Sequence, residues 1–83
     1  MVYNMEKFGY VLLIDHENRK EFCKDIGGDE MYLIDFEKEQ DGQWNFCAYN
    51  LEGDLASPII LSADEMRSVI NIWECLKMSN KLL

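Results

Sequence analysis

The chain has 83 residues and carries sixteen acids against eight lysines and arginines, a formal net charge of -8 with its single histidine neutral. A charge of that size slows encounter with every polyanion, which argues against direct contact with nucleic acid, anionic membrane or acidic substrate and in favour of a neutral or basic partner. The length gives a single domain, 1–83, too small to enclose a large active site, while 48% apolar residues suffice for a packed core.

Cys23, Cys47 and Cys75 lack the close pairs that a zinc site or a thioredoxin-like centre requires, so they are expected to be free thiols. Apolar neighbours (Phe46 and Ala48, Trp73 and Leu76) place Cys47 and Cys75 in the expected core. The longest apolar run, Tyr10 to Ile14, is far short of the ~20 residues of a membrane span, and the first residues lack the cationic start and apolar core of a secretory signal. The expectation is a cytoplasmic protein.

In chain order, Phe8 to Ile14 is apolar on both alternating sets, as a strand in the middle of a sheet would be, and Asp15 to Asn18 supply a turn. Arg19 to Ile26 reads as a second strand, with a helix ended by Gly27 and Gly28 as the alternative. Met31 to Glu39 alternates Tyr32, Ile34 and Phe36 against Leu33, Asp35, Glu37 and Glu39, the period of a half-buried strand. Asp41-Gly42 predicts a type I′ hairpin turn into a partner strand, Gln43 to Leu51, with Trp44, Phe46 and Ala48 on one side and Cys47, Tyr49 and Leu51 on the other.

After a turn at Glu52-Gly53-Asp54, Ser57 to Leu61 predicts a short strand that Pro58 confines to a sheet edge or a strand start. Ser62-Ala63-Asp64-Glu65 has the form of a capping box opening a helix. Met66, Val69, Ile70, Trp73 and Leu76 form its apolar stripe, widened by Ile72, with Cys75 and Met78 off it. The expected architecture is α+β: an antiparallel meander sheet of four to five strands with one C-terminal α-helix packed on one face.

Chemical motifs are few. His16, between Asp15 and Glu17, has no nucleophile beside it and reads as a solvated turn residue. Gly27-Gly28-Asp29-Glu30 resembles the signature tetrapeptide of diguanylate cyclases. Met31 stands where that family has phenylalanine and the upstream metal-binding acidic motif is missing, so the activity does not carry over and the tetrapeptide reads as a turn. The acids and amides from Asp41 onward suggest a calcium loop until its sixth position, which must be glycine, proves to be Phe46.

Pro58 to Met66 is similar to the strand-to-helix corner of the PC4-like transcription coactivators, whose curved sheet holds single-stranded DNA. In this chain the hairpin from Asp35 to Asp41 is acidic and would repel phosphate, so that function does not carry over either. No catalytic, cofactor or metal-binding set can be assembled from the residue types and spacings, and a non-enzymatic protein without a cofactor is expected.

Most informative are the acids. Asp35, Glu37 and Glu39 share one side of a strand at steps of ~6.7 Å, and Asp41, Glu52 and Asp54 stand in turns that could extend the row. A rigid line of carboxylates can dock in a lysine- and arginine-lined groove that normally holds nucleic acid. The chain resembles phage anti-defence inhibitors of that kind, some anti-CRISPR proteins among them, in size and charge and not in a motif. The leading expectation is therefore a small acidic inhibitor on a basic nucleic-acid-processing partner, contacting it through these six acids, with Trp44 or Tyr49 as aromatic anchor if exposed. The alternative is a structural or regulatory subunit that dimerises, or joins an assembly, through the C-terminal helix.

Overall fold

The computed structural model describes residues 4–81, the last two as backbone. Five strands pair in sequence order as one antiparallel meander: β1 Val11–His16, β2 Arg19–Gly27, β3 Glu30–Lys38, β4 Trp44–Glu52 and β5 Leu55–Pro58. One helix, α1 Ala63–Lys81, packs on one face, so the fold is α+β.

The sheet starts later than the apolar run suggests. Glu6–Phe8 form a 3₁₀ turn closed by a Gly9 N–H donated to the Glu6 carbonyl at 2.9 Å. Gly9 sits at φ 91°, a left-handed conformation that side chains resist, and an added Cβ would press on Lys24 Cε at 3.3 Å. The strand therefore begins at Val11 and runs through Asp15 and His16, leaving Glu17 and Asn18 as the turn. It is also an edge strand rather than a central one: Val11 and Leu13 are 61% and 60% exposed.

The second segment is a strand. Its period of two sends Phe22 to the core beside Ile34, while Glu21 and Cys23 pair with Asp35 and Leu33 on the opposite face. The β3–β4 hairpin is not a type I′ turn. Gly42 donates to the Glu39 carbonyl at 2.9 Å and Glu39 to the Gln43 carbonyl at 2.8 Å, and among the described residues only glycines have positive φ, Gly42 at 88°. That is the three-residue loop with a glycine bulge, which spares Asp41 the strained φ that I′ geometry demands. The last strand lies earlier than Ser57–Leu61, because the two-residue turn Gly53–Asp54 lets pairing resume at Leu55.

The core lies between sheet and helix. Phe22, Ile34, Phe36 and Trp44 meet Val69, Ile72 and Leu76, and Met5 and Tyr10 close one end. The helix is rotated from the expected stripe: Ile72 is in the core, whereas Met66 and Ile70 are 37% and 39% exposed. Trp73 sets this rotation. Its indole N–H donates to the Trp44 carbonyl at 2.7 Å and its ring meets Phe46 edge-on at 5.4 Å, so it must flank the core rather than sit over its centre. The capping box forms as expected, with the Glu65 amide donating to Ser62 Oγ at 3.1 Å and the Ser62 amide to Glu65 Oε1 at 3.0 Å. Cys47 and Cys75 are exposed, not core: Cys47 shares a face with Asp35, away from the helix, and Cys75 lies off the buried stripe.

Candidate functional site

Register partners share a face, so the pairing divides every strand charge between two surfaces. The helix-facing set holds Asp15, Glu30 and Glu52 with Lys20, Lys24 and Lys38, and is balanced. The open set holds Glu21, Asp25, Asp35 and Glu37 against Arg19 alone. This segregation is decided by strand parity: the three strand lysines are even-numbered and the open-face acids are odd-numbered.

The open face is built of transverse rows ~6.7 Å apart along the strands. His16, Arg19, Glu37 and Asn45 make one row, and Ile14, Glu21, Asp35 and Cys47 the next. Val11, Cys23, Leu33, Tyr49 and Pro58 make a third, apolar row. One end of the face is thus acidic and the middle apolar. Leu33 is only 3% exposed although it lies on the face away from the helix.

Arg19 organises the acidic end. Its Nε donates to Asp35 Oδ1 and one terminal nitrogen to Glu21 Oε2, both at 3.1 Å. The Glu21 and Asp35 side chains retain only 8% and 12% of their exposure, whereas Arg19 retains 43%. Burial pushes the Glu21 carboxyl above its ordinary value and nearby Asp35 adds to this, with Arg19 opposing. Tyr49 and Cys47 are raised as well, first by burial and then by the surrounding carboxylates.

The six acids singled out from the sequence do not form one row. Asp35, Glu37, Glu39 and Asp41 gather at the β3–β4 end, where Asp35, Glu37, Glu39, Asn45 and Cys47 help line a shallow depression. Glu52 opposes Glu30 at the other end and on the helix-facing side, about 23 Å from Glu37 along the strand, with Asp54 in the adjacent turn. Asp35 is taken up by Arg19, and Glu39 accepts from Asn45 Nδ2 at 3.4 Å while Asp41 accepts from the Gln43 amide at 2.9 Å. Of the four gathered at this end, Glu37, Glu39 and Asp41 are exposed and Asp35 is half-buried. Trp44 is 5% exposed in the core, so it cannot serve as an anchor; Tyr49 is half-buried on the open face.

Sequence reasoning missed Arg19, Glu21 and Asp25. Their alternation was present in the strand expected from Arg19 to Ile26, but only the pairing with β3 puts them on the face of Asp35 and Glu37. Asp25, Asp29 and Glu30 line a second shallow depression at the far end, reached through the Gly28-Asp29 turn. Among the described residues, no group of three or more His, Cys, Asp and Glu side chains is placed to hold a metal ion, and no helix is long and apolar enough to cross a membrane. No protein-family model, no curated protein and no solved structure matches the chain.

Proposed function

We propose that this is a non-enzymatic binding protein that docks the open face of its sheet, acidic end foremost, on a basic protein surface. The most concrete form of that reading is a small inhibitor occupying the nucleic-acid groove of a processing complex, its carboxylates standing in for phosphates. The observation that carries it is the separation of charge between the two faces: four carboxylates against one guanidinium on the open face, balance on the other. A face meant only for solubility needs no such sorting, whereas a face that steers a cationic partner does. The apolar row through Leu33 and Tyr49 supplies the desolvated centre that charge alone does not, with the carboxylates as its rim.

Glu37 and Glu39 are the residues to reverse, because changing Asp35 would strand Arg19 and disturb the fold. The Glu37→Lys/Glu39→Lys protein should fold normally. Basic nucleic-acid-binding proteins retained by the native chain at low salt should be released by about 0.5 M salt, where the screening length falls to roughly 4 Å, and by competing DNA. They should not be retained by the double variant. Retention unchanged by both substitutions and by DNA overturns the proposal.

A second reading, assembly through the helix, is favoured by the exposure of Met66, Ile70 and Met78 on α1. Such an interface is apolar and survives high salt, so sedimentation of the isolated protein at two ionic strengths separates it from acidic docking.

A further inference from the structure

The two edges of the sheet are treated differently. β5 is four residues long and ends in Pro58, which has no N–H to offer a neighbour. β1 is six residues long and contains neither proline nor lysine, and Val11, Leu12 and Leu13 are 61%, 36% and 60% exposed along it. Natural sheets blunt such edges with charge, proline or a covering element. Here β1 has the bulge between Leu12 and Ile14 and the charge of Asp15 near its C-terminal end, which leaves Val11 to Leu13 unguarded, and among the described residues no strand lies on its outer side. At its C-terminal end the strand passes into Asp15, His16 and Glu17, and no lysine or arginine occurs from Tyr10 to Asn18.

We propose that β1 accepts an extended segment of the partner as a sixth strand, with apolar side chains beside Val11 and Leu13 and a lysine or arginine beside Glu17, since Asp15 is already paired with Lys20. Main-chain hydrogen bonds would supply the affinity, and the apolar-then-acidic order along the edge would supply the choice of segment. A second copy of this chain is the poorer occupant. It would bring another net charge of -8 to an edge that passes into acidic residues. The inference rests on the reading that the partner is basic, but it places the contact on a different element from Glu37 and Glu39, so the two can fail separately.

The test uses eight-residue peptides that alternate valine and threonine and carry two arginines at one end, made in both orders so that parallel and antiparallel pairing are each sampled. Amide chemical-shift changes on titration should be confined to Val11–His16 and the adjoining β2 backbone. Methylating alternate peptide nitrogens, which removes donors without touching the protein, should weaken binding at least tenfold, and so should Leu13→Lys, whose site is exposed enough to leave the fold intact. Replacing the arginines by glutamates should abolish the shifts. The Glu37→Lys/Glu39→Lys protein should still bind the peptide. Shifts centred on Asn45 and Cys47 or on α1, insensitivity to nitrogen methylation, or no shift with either order overturns the proposal, as does a dimer in sedimentation that Leu13→Lys dissolves.

Discussion

Arg19→Gln probes how the acidic end of the open face is held. In the native protein one guanidinium lies between Glu21 and Asp35, which are register partners with side chains 8% and 12% exposed. Removing it leaves two nearly buried carboxylates facing each other across adjacent strands. Breaking a fully buried ion pair costs roughly 3–5 kcal/mol. Arg19 keeps 43% of its exposure, so solvent already screens part of the interaction, and about 2 kcal/mol is the expected loss. In a domain of this size that lowers Tm by roughly 10 °C.

The pH dependence makes the prediction specific. Glu21 has a folded pKa above its ordinary 4.5, so the folded state holds the proton more tightly than the unfolded one. Its contribution to stability therefore falls as pH rises from the unfolded value through the folded value, and the penalty is complete above it. Without Arg19 the folded value rises further. The cost of Arg19→Gln should then be full near pH 8 and smaller near pH 4, and adding Glu21→Gln should restore part of the stability at pH 8, the remainder being the lost Asp35 pairing. Urea unfolding at both pH values measures this, with Arg67→Gln as control, since Arg67 and Asp64 are 71% and 73% exposed and their pair should be worth under about 0.5 kcal/mol. A cost for Arg19→Gln no larger than the control, or one that does not shrink in acid, would refute the reasoning.

The remaining predictions concern the helix start and the open-face thiol. Ser62→Ala breaks one arm of the capping box and should cost about 1 kcal/mol in thermal melting, with a smaller additional loss from Glu65→Ala in the same chain, because the two bonds close one motif. Cys47 is exposed, but its thiol is raised first by burial of the sulfur and then by Asp35 and Glu37, so iodoacetamide should modify it more slowly than free cysteine at neutral pH. Glu37→Gln should speed that modification; equal rates in the two proteins would show that the carboxylate does not act on the sulfur.

Local pattern made much of the architecture legible. The alternation of Tyr32, Ile34 and Phe36 with Leu33, Asp35 and Glu37 specifies a strand and its buried side, and Ser62 and Glu65 specify where the helix starts, because each signal depends on neighbours a few residues away. The edge position of β1 was not legible. Val11 to Ile14 has the composition of a central strand, and nothing within the segment records that, among the described residues, no further strand pairs beyond it. The same limit hid the second segment's role, since Arg19, Glu21 and Asp25 become a face only when pairing with β3 aligns them.

For the candidate site, the sequence by itself determined the sign and amount of charge and which strand residues share parity, because these are properties of composition and of a period of two. Only the tertiary structure decided which carboxylates remain available to a partner. Pairing of β2 with β3 brought Arg19 onto Asp35, the meander carried Glu52 and Asp54 to the opposite end, and packing under the helix buried Trp44. Each outcome depends on contacts between residues distant in the chain, and local periodicity contains no information about them.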